Sequence, residues 1–203
     1  MKSIVISIRP EHALDILKGS KTLELRKSVP KDFVGWVYGY VTKSGKRLAY
    51  EKQPKHPHYI LSNSDGVNSA NGRIPFRFWF DEYIKLEWLD PSLNIKRNDV
   101  NYYNYYALFE NIYNNVEWIL PNLCLTKQQV IDYGKERDLY AWHIKKLEIF
   151  DKPMQLEEFQ NYMPKSNDIP EALITSSWQI LHQPLTKAPQ SYQYVWVKGE
   201  SNE

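Results

Sequence analysis

The opening stretch constrains this chain more than any other. Ser3–Ile8 alternates, with Ile4, Ile6 and Ile8 on one side and Ser3, Val5 and Ser7 on the other, which predicts a short strand. Pro10 suits the first turn of a helix, where its missing N–H has no partner to lose. Ala13, Leu14 and Leu17 share a helical face, and Gly19 stands where a left-handed residue would close the helix. Residues Thr22–Arg26 then alternate again. Strand, helix and strand in so short a length leave no room for a wide excursion. The helix must therefore lie on the end or edge of a sheet.

The second strand has two unlike sides. Leu23 and Leu25 point one way, while Thr22, Glu24 and Arg26 point the other, so two leucines back a row of hydroxyl, carboxylate and guanidinium. Lys21 belongs to the leucine side by parity, but next to Gly19 its long stem can swing to the polar row. A lysine, a glutamate and an arginine held together would bind an anion or move a proton. A surface ion pair of little energetic consequence has the same spacing.

Further elements are expected along the chain. A strand is predicted at Gly35–Thr42, a turn at residues 43–46, and a loop over 51–72, rich in proline, asparagine and serine. Arg73–Tyr83 reads as one strand with Ile74, Phe76, Phe78 and Phe80 on one face, and Pro75 places its start or a sheet edge. Leu108, Ile112, Tyr113, Val116 and Trp118 suggest a short helix. Thr126-Lys127-Gln128-Gln129 fits a capping box, opening a helix that ends near Gly134. Leu139–Phe150 reads as a long strand, residues 153–159 as a packed turn with a short helix, Asp168–Glu171 as a helix start, and Tyr192–Lys198 as the last strand. Together these describe an α+β domain, a small closed or half-closed β-barrel with short helices.

A length of 203 residues fits one core, so a single domain is expected over residues 1–203. The lone cysteine, Cys124, excludes an intramolecular disulfide and any zinc site of several thiolates; between Leu123 and Leu125 it reads as a small buried apolar residue. The N-terminal apolar stretch is too short for a signal peptide and no later run is long enough to span a bilayer, so a cytoplasmic protein without membrane contact is expected. Net charge is +2, distributed as +7 over residues 1–60 and −5 over the rest, which suits a local phosphate-facing patch. The 15 tyrosines and 7 tryptophans can fill a core or stack bases, and most are expected in the core. His56-Pro57-His58 resembles half a metal site but has no partner ligands nearby, and His143 reads as a hydrogen-bonded core histidine; neither a metal nor a cofactor is expected.

The run from Ile8-Arg9-Pro10-Glu11-His12-Ala13 through Gly19-Ser20-Lys21-Thr22-Leu23-Glu24-Leu25-Arg26-Lys27 resembles the signature of the ASCH domain, in the PUA-like superfamily. Two further segments are similar to the bacterial and phage branch of that family. One is Tyr133-Gly134 with Leu139-Tyr140-Ala141-Trp142-His143-Ile144 and Asp151-Lys152-Pro153; the other is Ala188-Pro189-Gln190-Ser191-Tyr192-Gln193-Tyr194-Val195. Residues 48–72 and 86–123 have no counterpart and read as insertions.

The resemblance implies a β-barrel with short helices capping its mouth, and a cleft between them that receives RNA, a nucleotide or a modified base. Carried over by position, the cleft residues are Lys21, Glu24 and Arg26, joined by Thr22 and Lys27 and, from the other matching segments, Trp142, His143, Gln190 and Ser191. Some relatives are amidohydrolases of N4-acetylcytidine that use a lysine and a threonine; here Glu24 takes the threonine's place and cannot be that hydroxyl nucleophile. A Lys21/Glu24 pair remains able to act as an acid–base couple, in hydrolysis or RNA cleavage.

Three functions are therefore open. A reader would hold phosphate with Lys21, Arg26 and Lys27 while Trp142, Tyr140 or a tyrosine from residues 102–106 stacks a base. A hydrolase would use Lys21 and Glu24 as catalysts. A phage or host regulator would bind a protein through the Tyr/Asn-rich insertion. For the first two, Lys21 and Glu24 are expected to project into the cleft and to tolerate alanine without loss of fold.

Overall fold

The computed structural model describes residues 2–43, 45–51, 53, 57–63, 68–88, 102–104, 118–161 and 184–197. Their chain order begins as expected, with β1 (Ser3–Ile8), α1 (Pro10–Leu17), β2 (Leu23–Arg26) and β3 (Gly35–Val41). It continues with β4 (Arg47–Glu51), β5 (His58–Ser62), β6 (Ile74–Phe80), β7 (Tyr83–Glu87) and β8 (Tyr102–Asn104). After α2 (Ile119–Leu123) and α3 (Lys127–Gly134) come β9 (Leu139–His143), β10 (Lys145–Met154), a 3-10 turn at Leu156–Glu158, β11 (Phe159–Asn161) and β12 (Tyr192–Val197).

The described strands form three mixed or antiparallel sheets, and no closed barrel is found among them. Six strands run in the order β10-β6-β3-β1-β12-β11, four in the order β2-β9-β7-β8, and β4 pairs with β5. The class is α+β. No helix among the described residues is long and apolar enough to cross a membrane. The chain divides into two compact units, residues 1–14, 35–78 and 147–203 in one, and 15–34 and 79–146 in the other.

In the first unit, β1 is central, parallel to β3 and antiparallel to β12. Val5, Tyr38, Tyr40, Val195 and Val197 meet Ile74, Leu156, Phe159 and Leu185 in one core. Ile4 and Ile6 on the other face of β1 are also buried, so β1 is covered on both sides. Gly39 is required by close packing: a Cβ there would lie 2.4 Å from Cζ of Phe76.

In the second unit, the leucine side of β2 packs as expected. Leu23 and Leu25 join Leu86, Leu139 and Ala141 from neighbouring strands, with Ile119 and Leu123 of α2 and Val130 of α3 laid over them. The capping box at α3 is present in full: the Thr126 hydroxyl accepts from the Gln129 amide, and the Gln129 side chain accepts from the Thr126 amide.

Four expectations change. Arg73–Tyr83 is not one strand; it ends at Phe80, and after Asp81 and Glu82 β7 begins at Tyr83 in a different sheet. Leu139–Phe150 likewise divides at Ile144 into strands of two sheets, and Lys146 has a left-handed φ of 44°. The loop expected over 51–72 contains β5, whose Tyr59 is buried and pairs with Tyr50. Cys124 is half-buried rather than core, because it closes α2 in a left-handed conformation (φ 51°). The helix expected within 108–118 and the helix start at 168–171 lie outside the described residues, apart from Trp118, which is exposed.

Candidate functional site

Gly19 has φ 74°, and the amides of Ser20 and Lys21 both donate to the carbonyl of Asp15 as the chain leaves α1. That turn delivers Lys21 to the start of β2, the edge strand of its sheet. The Lys21 ammonium donates to the Leu123 carbonyl at 2.6 Å, on the side of the leucine core, and lies 3.5 Å from Glu24 Oε2 on the polar side. The ammonium thus reaches groups from both sides of β2. Glu24 Oε1 meets Arg26 Nη2 at 2.8 Å, the length of a charge-assisted hydrogen bond.

One carboxylate is therefore held between two cations, with side-chain exposures of only 2, 9 and 7 % for Lys21, Glu24 and Arg26. Each ion loses several kcal/mol of hydration on such burial, on the order of what its partners must return. The expectation of a fold indifferent to alanine at Lys21 or Glu24 changes accordingly: both are buried, and removing Glu24 takes from both cations the carboxylate they share.

The registers of β2, β9 and β7 define the polar face. Glu24 lies opposite Trp142, which lies opposite Tyr83; Arg26 lies opposite Tyr140, which lies opposite Lys85. Two rows thus run from buried ions at one edge to rings and an ammonium two strands away. Trp142 has 0 % exposure, its ring 5.0 Å from that of Phe80 and its indole N–H donating to the Ser28 carbonyl. It has no surface with which to stack a base. Tyr83 is 44 % exposed and meets half-buried Tyr140 edge-to-face at 5.6 Å.

The other expected residues fall elsewhere. The Thr22 hydroxyl donates to the Asn122 side-chain carbonyl, and its backbone amide to the Asn122 carbonyl at 3.0 Å, so it ties β2 to α2. Lys27 is exposed, its ammonium 4.9 Å from the ring of Tyr133. His143 is not a core residue. It stands half-buried opposite Leu23, its Nδ1 2.9 Å from Glu82 Oε1. Gln190 and Ser191 are exposed and belong to the other unit.

Two ionic groups were not visible in the sequence. Lys85 reaches Asp138 at 2.8 Å and Glu87 at 2.9 Å; these bonds, that to Asp138 foremost, raise its pKa above the ordinary lysine value. Asp81, Glu82 and His143 place one donor atom each within 4.8 Å of one another, the one such convergence among the described residues. The Lys145 ammonium, 2.7 Å from Asp81 Oδ2 and 3.3 Å from Glu82 Oε1, already supplies a cation there, and these contacts raise its pKa.

Comparison with solved structures places the architecture. A serine-to-alanine variant of the ASCH protein from Zymomonas mobilis is similar over 97% of this chain and 89% of its own, with a TM-score of 0.50 and 14% identity. The chain has an ASCH fold. The parent Zymomonas mobilis protein aligns over 97% of this chain and 88% of its own, at TM-score 0.48 and 16% identity. No family model and no curated protein matches the sequence. Within this ASCH fold, the run Gly19–Arg26 that resembles the family signature is also the run whose charged side chains converge.

Proposed function

We propose that this chain is a PUA-like ASCH domain that binds a nucleotide or a segment of nucleic acid, using Lys21, Glu24 and Arg26 as its polar anchor. The observation that carries the reading is the pairing of two nearly buried cations with one carboxylate. An ammonium and a guanidinium in a poorly hydrated place offer donors to a phosphate or a carbonyl edge, and the carboxylate offers an acceptor to an exocyclic amine. Such a mixed set suits a base edge better than a phosphate alone. The few exposed atoms of Glu24 and Arg26 are where a ligand would first touch.

A hydrolytic reading has its own support, the 3.5 Å separation of Lys21 Nζ and Glu24 Oε2. A carboxylate beside an ammonium can take a proton from water while the ammonium steadies a developing oxyanion.

The test incubates wild type, Lys21→Ala and Arg26→Ala with single-stranded RNA, single-stranded DNA and a panel of free and N-acylated nucleosides. Binding is followed by anisotropy, products by chromatography, and folding by thermal melts. The binding reading expects wild type to bind and each variant to lose about ten-fold or more, roughly 1.4 kcal/mol. Turnover by wild type that Lys21→Ala lacks selects the hydrolase. Failure of wild type to bind or convert any of them rejects both and favours a protein partner.

A further inference from the structure

We infer that Tyr83, braced by Tyr140, is a base-stacking subsite for an unpaired nucleotide of a single strand. The inference rests on the nucleic-acid reading above and names the part of the surface that meets a base. Tyr83 is 44 % exposed, yet its ring is not loose: Tyr140 holds it at 5.6 Å and 69° between planes. An edge-to-face contact covers at most one face of one ring, so a ring face remains for a second π-system. A ring already held in place loses little freedom when a base stacks on it.

Position supplies the second part of the case. In the described pairing Tyr83 is the outer member of the row Glu24–Trp142–Tyr83, whereas the row Arg26–Tyr140–Lys85 continues to Tyr102 of β8. The outer ring is thus two strand spacings, about 10 Å, from the buried ions. Pairing of β8 with β7 starts at Lys85, so in the described pairing Tyr83 lies beyond the end of β8. Ring and ion cluster share one face, and the Lys85 ammonium is already held by Asp138 and Glu87, so the ring is the group assigned to the base while Lys21 and Arg26 supply the cationic side of the site. A base inside a duplex has both faces covered by its neighbours, so the ligand is single-stranded. Trp142, expected from the sequence to stack, is instead the buried floor between the two ends of its row.

The test compares oligouridylate with an abasic oligomer of the same length, titrated into wild type, Tyr83→Ala and Tyr83→Phe. Melting curves confirm that all three are folded, as expected for an exposed ring. Tyr83→Ala should bind oligouridylate about ten-fold more weakly than wild type, Tyr83→Phe should match wild type, and the abasic oligomer should not distinguish the three. Equal loss for both oligomers, or no loss for either, overturns the subsite while leaving nucleic-acid binding in place. If wild type binds neither oligomer nor any single strand, nucleic-acid binding itself fails and the subsite with it.

Discussion

The six-stranded and four-stranded sheets use their faces in opposite ways. In the first, β1 and β3 are buried on both sides, and side chains from Val5 to Phe159 fill one core while Ile4 and Ile6 are buried opposite. In the second, one face holds Leu23, Leu25, Leu86, Leu139 and Ala141 under two helices. Its other face carries Glu24, Arg26, Tyr83, Tyr140 and Lys85 in register. Apolar packing explains most positions of the first sheet's central strands. It does not explain three charges kept from water in the second, where a leucine or methionine core would have served stability as well or better. The difference is the ground for proposing the site on the four-stranded sheet.

The strongest way to break this comparison is to remove the central charge. Glu24→Ala leaves Lys21 and Arg26 buried without their carboxylate, and a loss of about 3–5 kcal/mol is expected, read from urea denaturation. A loss below about 1 kcal/mol would mean that the cations escape to water, and the sheet would then carry no buried site. Next in size is a change confined to packing. Gly39→Ala drives a Cβ to 2.4 Å from a Phe76 ring that is fully buried. The expected cost is about 1–3 kcal/mol. With the site proposed on the four-stranded sheet, ligand binding by the folded fraction should be unchanged. Altered affinity in Gly39→Ala would show that the division between the sheets is wrong.

Local chemistry explains what the sequence revealed of both sheets. Pro10, Gly19 and the Thr126 box act within a turn of themselves, and α1, β2 and α3 stand where those residues put them. The parity of Glu24 and Arg26 against Leu23 and Leu25 was also local, so the polar row was legible. The breaks at Asp81-Glu82 and Ile144 were not, because neither glycine nor proline marks them; each strand simply leaves one sheet for another. Missing the first break hid β7, and with it Tyr83 and Lys85. The partner that fixes the Lys21 ammonium is a backbone carbonyl 102 residues further on, on α2, which no spacing within residues 19–26 could indicate. Trp142 matched a family segment, but its burial depends on Phe80 from another strand.

The smallest expected effect separates the buried ions from those at the rim of the same face. Lys85 is 23 % exposed and donates to both Asp138 and Glu87, so its folded pKa is raised. The unfolded chain releases this proton near the ordinary lysine value of 10.5, the folded chain only at higher pH. Its stabilisation is therefore complete below that value and disappears as pH rises through the folded pKa. Lys85→Met should be less stable than wild type by about 1 kcal/mol at neutral pH, a small figure because the pair is partly solvated. The gap should close as the buffer is taken above pH 10.5. Added salt should also shrink it, whereas the deficit of Glu24→Ala should barely respond, since screening reaches exposed charges far more than buried ones. A gap that persists at alkaline pH would mean that Lys85 contributes through its packed stem rather than its charge. The rim would then resemble the apolar face, and the polar character of this sheet would narrow to Lys21, Glu24 and Arg26.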